Sequence, residues 1–380
     1  MARHEQVHEV LQNWESFTTN RGFGITDTTL ETPYIEVLQE HDWTRAPGMD
    51  STRVRGMLDA SGRMDPPEGS RGRRIFTRIL SPAAVRRFRE EARAQARAMV
   101  ARLVEHGKFD AVPSLANAFP IRVLCDAVGL PEQGREHLLA FGDMAMNTSG
   151  PRDARFLASI ERAVPAAAWV AASCKREALA PGGFGMQIYE AADAGEIPEP
   201  VAELMVSVFP TAGIDTTACT IANAIHALAT LPDQWAALRD DPSLARAAFE
   251  EAVRWDTPAD PLFRTTTRET RLADETLAEG RKVLLLLAAA NRDPRRYTDP
   301  DRFDLRRSPA GHVGFGTGVH GCVGQMFARM EGEAVLGALA EGVETIELAG
   351  EPRRRDSNTL RSWATLPVRV TPRRGNAGSR

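Results

Sequence analysis

One thiol in a glycine-rich loop is the residue best placed for chemistry: Phe315-Gly316-Thr317-Gly318-Val319-His320-Gly321-Cys322-Val323-Gly324 runs straight into an amphipathic stretch from Gln325 to Leu339. Gly316, Gly318 and Gly324 let backbone approach a flat ring and take positive φ. The helix that follows aims its N-terminal amides at the sulfur and favours a thiolate. A cysteine so placed can ligate a metal from the protein side of a planar cofactor; the alternative is a buried structural thiol. A second group is Ala212-Gly213-Ile214-Asp215-Thr216-Thr217, where a glycine, an acid and two hydroxyls interrupt a long apolar run. Glycine weakens a helix and threonine bonds back to a preceding carbonyl, which predicts a local opening able to hold water. Pro210 predicts a kink just before it. A third is Glu251-Ala252-Val253-Arg254, a carboxylate and a guanidinium three apart on one helical face.

These groups need a scaffold, and the apolar pattern supplies one. Apolar residues recur at three and four over Ala83–Glu105, Arg135–Met146, Asp153–Leu179, Pro200–Leu231 and Ser243–Trp255, which predicts helices. Strand-like runs, Arg281–Leu287 and Leu366–Val370, are confined to the second half. The fold class is mainly α, a large helical domain with small β-sheets. Residues 1–372 read as a single domain, with Arg373–Arg380 as a disordered tail.

At 380 residues and 43% hydrophobic content, the chain can bury one large core. Its net charge of −4 and pI near 6.1 carry no nucleic-acid footprint. Cys125, Cys174, Cys219 and Cys322 are widely spaced in apolar or helical contexts, against a disulfide framework or zinc site and in keeping with a reducing cytoplasm. The longest uninterrupted apolar run, Val283–Ala290, is too short to span a bilayer, and neither signal nor anchor precedes Arg3. A cytoplasmic protein without membrane or nucleic-acid partners is expected.

The loop at 315–324 resembles the haem-ligand loop of the cytochromes P-450, the haem-thiolate monooxygenases, and the resemblance extends from about Asp65 onward. It implies the cytochrome P-450 fold and a b-type haem with Cys322 as its axial metal ligand, Phe315, Gly316 and Gly324 shaping the loop around it. Thiolate ligation favours O–O cleavage and hence insertion of oxygen into carbon–hydrogen bonds. By the same resemblance Asp215 and Thr216 deliver protons to the oxygen being activated. Glu251 and Arg254 are the Glu-x-x-Arg pair that locks its helix to the segment containing Pro300-Asp301-Arg302-Phe303. Arg73, Arg264 and His312 are the haem-propionate partners, while His320 reads as loop packing. The family commonly has His-x-x-x-Arg where this chain has Gly69-Ser70-Arg71-Gly72-Arg73, so one propionate histidine is missing.

A finer similarity, carried in part by Asn358-Thr359-Leu360-Arg361, is to soluble bacterial members that oxidise or O-demethylate para-substituted aromatic acids. It implies a small, apolar substrate, aromatic or otherwise, with O2 as co-substrate. Electrons would come from NAD(P)H through a ferredoxin reductase and a ferredoxin, docking on a face that includes the basic stretch Arg71–Arg78. Pocket candidates are Arg21, Phe23, Val208, Thr211, Ala212, Leu262, Phe263 and Trp363. Ser207 and Val208 occupy helix positions where that branch binds a carboxylate, leaving Arg21 as the matching cation. Met1 falls at what reads as the family's second helix, and Asp27–Met64 is of unfamiliar composition. Two other readings are a truncated, catalytically impaired haem-binding protein and a peroxide-driven haem-thiolate enzyme, which would not need Asp215 and Thr216.

Overall fold

The structure, a computed structural model, describes residues 1–22, 24–25, 65–67, 69–151, 153–308 and 310–373. Phe23, the Asp27–Met64 stretch and the tail after Arg373 lie outside the described residues. Its helices are α1 (His4–Gln12), α2 (Ser70–Ile79), α3 (Pro82–Arg86), α4 (Arg89–His106), α5 (Ala118–Val128), α6 (His137–Asn147) and α7 (Ala154–Ser173). They continue with α8 (Phe184–Asp193), α9 (Glu199–Thr230), α10 (Pro232–Asp240), α11 (Ala245–Trp255), α12 (Leu287–Ala290) and α13 (Gln325–Gly342). The fold is mainly helical, with small antiparallel sheets.

Helix α9 is the axle. It is apolar on nearly all sides, and its residues from Ala202 to Ala229 are largely buried against α5, α6, α8, α11 and α13. A helix hydrophobic all round belongs in a core. Its length and mean hydropathy would also suit a membrane span, but the faces that would meet lipid are covered by neighbouring helices.

Pro210 lies inside α9 without ending it: helical geometry is unbroken from Glu199 to Thr230. The opening expected at Gly213 is likewise absent. A Cβ on Gly213 would lie 2.5 Å from Cδ2 of Leu124 on α5, so this glycine lets two helices approach. Close packing, not helix weakness, accounts for it.

Strands β1 (Phe17–Thr18), β3 (Leu262–Thr266) and β6 (Lys282–Leu285) form one sheet in the order β1-β3-β6. Strands β2 (Lys108–Asp110), β7 (Val343–Leu348) and β10 (Pro367–Pro372) form a second with β10 central, and β4 (Thr270–Leu272) and β5 (Glu275–Leu277) form a hairpin. Strands β8 (Arg353–Arg355) and β9 (Ser362–Thr365) pair near the end of the chain. A separate apolar cluster joins α1 to the first sheet through Val7, Val10, Leu11, Phe17, Val283 and Leu285.

Candidate active site

The loop before α13 is closed by the Cys322 N–H donating to Phe315 O at 2.7 Å. Gly316 sits at φ +65, where a side chain would be strained. The Cys322 sulfur receives the amides of Gly324 and Gln325 and lies near the guanidinium groups of Arg73 and Arg329. Even so, burial prevails and holds the thiol above its ordinary value. Amides and the helix terminus therefore do not by themselves make the thiolate expected from the sequence; a metal ion would complete the deprotonation. The residue is densely surrounded by protein yet open to solvent.

Arg73 reaches this loop from α2, its Nη2 donating to Gly321 O. Arg264, on β3, is 4% exposed, and its one hydrogen bond among the described residues runs from Nη1 to Phe263 O at 2.7 Å. Among the described residues no carboxylate pairs directly with it. Burial lowers its proton affinity to about 10, with the Asp65 charge pulling the other way. A buried guanidinium in that condition calls for an anion.

His312 does not take the part expected of it. The Gly314 N–H donates to Nδ1 at 3.2 Å, which leaves Nε2 to donate to Glu250 Oε2 at 2.9 Å. Both ring nitrogens have protein partners, because Glu250, beside Glu251 on α11, turns its carboxylate toward the loop. The ring fastens loop to helix and is not free for a propionate. His320 is instead the loop histidine in a polar node: its Nε2 lies 2.6 Å from Asp65 Oδ1 and 3.3 Å from Thr19 Oγ1. Asp65 is 3% exposed; desolvation would raise its proton affinity, but hydrogen bonds from His320, Thr18 and Thr19 outweigh it. Sequence reading missed this node because its members are distant along the chain.

On α9, Val208, Thr211, Ala212 and Thr216 are half-buried within a mostly buried helix. Their spacing of three and four puts them in one stripe. Thr216 Oγ1 donates to Ala212 O at 2.8 Å. Asp215, next in sequence and on the same side by helical period, extends its carboxyl against α6. Its Oδ2 is buried without a hydrogen bond among the described residues and lies so close to α6 that a Cβ on Gly142 would be 2.6 Å away. Burial pushes its carboxyl up to about 6, the Arg355 charge drawing it down and the Asp143 charge raising it.

The remaining pocket candidates scatter. Trp363 is a correction: it is 7% exposed, stacks on His226 with ring centroids 4.3 Å apart, and carries Arg354 over its other face at 3.7 Å. At about 1.5 Å per residue His226 is roughly 15 Å beyond Thr216 along α9, so Trp363 belongs to the core there. Phe263 pairs with Leu284 on one face of the sheet, while Arg264 and Leu262 pair with Val283 and Leu285 on the other. If Arg264 meets the cofactor, its neighbour on that side is Leu262, not Phe263, because strand side chains alternate. The Arg21 guanidinium lies beside Gly280, whose Cβ would be 3.3 Å from Nη1.

Glu251 and Arg254 meet through two 2.8 Å hydrogen bonds, with Arg254 0% exposed. Arg254 also donates to Asn291 O, Pro300 O and Arg302 O, at 2.9, 2.8 and 3.1 Å. Glu251 Oε1 accepts from Asp304 N–H at 3.0 Å and Arg307 Nε at 3.2 Å. The pair thus ties α11 to residues 300–307, the segment leading into the cysteine loop.

A helical body around one apolar axle, with an exposed thiol in a glycine-rich loop ahead of α13, accords with the haem-thiolate proteins, and the chain belongs to the cytochrome P450 family. A family profile described as Cytochrome P450 matches residues 193–342. The chain is 46% identical over 373 residues to cytochrome P450 CYP199A2 of Rhodopseudomonas palustris, covering 98% of this chain and 85% of that one. Among solved structures it is similar to cytochrome P450 CYP109Q5 from Chondromyces apiculatus, at a TM-score of 0.78 and 27% identity over 98% of this chain and 89% of that chain. It is similar also to Mycobacterium marinum cytochrome P450 CYP268A2 in complex with pseudoionone, at a TM-score of 0.81 and 26% identity, covering 97% and 86%.

The residues present fit the haem that this family binds. Among the described residues no group of three or more His, Cys, Asp or Glu side chains could hold a bare metal ion. A macrocycle that brings its own nitrogen ligands needs only one protein thiolate, and Cys322 offers it. Arg264, which has no carboxylate partner among the described residues, would suit the propionates of that macrocycle.

Proposed function

We propose that this chain is a haem-thiolate monooxygenase holding a b-type haem through Cys322, and that it inserts one oxygen atom of O2 into a small organic substrate, aromatic or otherwise. Haem bound through a thiolate supplies the oxygen-activating redox chemistry. The observation that carries this reading is the sulfur itself, open to solvent in a dense protein surround, with two amides aimed at it and two guanidinium groups nearby. Arg264 and Arg73 would hold the propionate edge. The stripe Val208, Thr211, Ala212 and Thr216 would face substrate, mostly with carbon, as ligand sites require.

Asp215 and Thr216 move protons in this reading. Asp215, with its proton affinity near neutrality, can carry a proton at physiological pH, and the Thr216 hydroxyl can hold a water at the cleft side of α9. Presence of both favours the O2-driven reaction over the peroxide-driven one. Electrons from NAD(P)H would arrive through a ferredoxin reductase and a ferredoxin, with the exposed Arg71 and Arg74 of α2 offering charge for docking an acidic donor. The cytoplasm suits both that supply and the unpaired cysteines.

Spectral titration of the haem-loaded protein with para-substituted benzoates and with neutral aromatics of the same shape tests the substrate class, run beside Arg21→Ala. Binding of benzoates that depends on Arg21 supports an aromatic acid. Benzoates that fail to bind, or bind both proteins equally, leave a neutral substrate.

A further inference from the structure

Several structural elements converge on Asp215. Helix α6 brings the Gly142 backbone against Oδ2 and places Asp143 beside it. Strand β8 brings Arg355, whose Nε and Nη2 are buried without a hydrogen-bond partner. Its Nη2 is 4.0 Å from Asp143 Oδ1, too long for a hydrogen bond. Helix α9 adds the buried Cys219, whose thiol burial keeps neutral. Helix α7 contributes indirectly, through Arg162.

Asp143 is already provided for. Arg162 Nη2 donates to its Oδ2 at 2.8 Å, and Asn147 Nδ2 donates to its Oδ1 at 3.1 Å and its backbone oxygen at 2.8 Å. Arg162 is 57% exposed along its side chain, so this pair reaches solvent. Arg355 is left over, a half-buried cation whose charge couples to Asp215, Cys219 and Asp143. A buried carboxylate oxygen without a donor and two buried guanidinium nitrogens without an acceptor among the described residues thus occupy one region between α6, α9 and β8. Unmatched groups of opposite charge there have a use for each other, because each alone is costly.

We propose that Arg355 is the positioning residue for Asp215, supplying the counter-charge for the carboxylate left when Asp215 gives up its proton, while Arg162 and Asn147 keep Asp143 from claiming that charge. The inference rests on the reading of Asp215 as proton carrier. In the step, the O–H bond of Asp215 breaks and the proton leaves toward water at Thr216. The electron pair stays on the carboxylate beside Arg355, and a solvent proton arriving along the Asp143–Arg162 edge restores the acid. Nothing is oxidised or reduced at these residues.

Infrared titration of the carboxyl C=O stretch in the haem-loaded protein tests this, with the Asp215 band assigned by its loss in Asp215→Asn. In Arg355→Met the midpoint should rise by about one unit or more, the size of effect of a nearby opposite charge, and Arg355→Lys should restore most of it. Asp143→Asn should move the midpoint down, since it removes a like charge and releases Arg355 entirely to Asp215. An unchanged midpoint in Arg355→Met overturns the proposal; should that variant not fold, a midpoint that stays or rises in Asp143→Asn does so. Coupling of reductant consumption to product separates the two layers. A normally coupled Asp215→Asn removes the proton-carrier reading, whereas an impaired Asp215→Asn together with an unmoved Arg355→Met midpoint removes only the role of Arg355.

Discussion

The Cα of Gly142 on α6 faces Oδ2 of Asp215 on α9 so closely that a Cβ there would stand 2.6 Å from that oxygen. Real Cβ atoms essentially never come that near. Gly142→Ala should therefore displace the carboxylate or part the helices, lowering stability by about 1–3 kcal/mol as overpacking does. Thermal melts and the fraction of reductant recovered as product should both fall, and an unaltered melt would show that α6 does not confine Asp215.

Cys322→Ser should abolish the red-shifted Soret band that thiolate ligation gives to the reduced carbon-monoxide complex. Replacement of any of the three buried thiols, Cys125, Cys174 or Cys219, should leave it. Retention of the band in Cys322→Ser would place the ligand elsewhere.

Glu251→Gln leaves Arg254 in place with one neutral partner in a fully buried setting. Breaking a buried pair by removing one charge costs about 3–5 kcal/mol, and here it also loosens residues 300–307 ahead of the cysteine loop. The expected result is a lower melting temperature together with weaker haem retention through gel filtration. If only one of the two changes, α11 and the loop are not coupled through this pair.

Glu250 sets an acid limit. Desolvation would raise its carboxyl, but His312 and Arg329 hold it down to about 2 from an ordinary 4.5. A carboxyl depressed on folding contributes stability that is full above its unfolded value and is lost as pH falls through the folded one. The window is therefore from about pH 4.5 down to about 2, and the contribution about 3 kcal/mol at 1.36 kcal/mol per unit. Denaturant unfolding across that range should steepen with Glu250 present and flatten in Glu250→Gln; equal slopes would assign acid sensitivity to other groups.

Thr216→Ala should divert electrons to hydrogen peroxide, because a water delivering protons there would lose its hydroxyl anchor, while Thr216→Ser should restore coupling. Peroxide yield per reductant consumed is the measure. Equal yields in all three proteins would take Thr216 out of proton delivery.

What the sequence alone determined is chiefly what is local. Cys322, its glycines and the helix after it lie within one short stretch, so their relation follows from backbone geometry and needs no distant partner. The same holds for the spacing of Glu251 and Arg254, and for the stripe Val208, Thr211, Ala212 and Thr216, which the period of α9 puts on one face. Tertiary structure decided the rest, because burial and pairing depend on which elements arrive alongside. Gly213 reads as a weak point in a helix until α5 brings Leu124 against it. His312 reads as a free donor until Glu250 of α11 takes its Nε2, and His320 as mere packing until Asp65 comes from far upstream. Trp363 reads as pocket aromatic until His226 stacks beneath it. Asp215 and Thr216 are neighbours in sequence, but successive residues on a helix diverge by about 100°. By that period Asp215, seven residues past Val208, still falls within the stripe and Thr216 at its edge, so it is the arrival of α6 that buries Asp215 against Gly142 and leaves Thr216 half-buried.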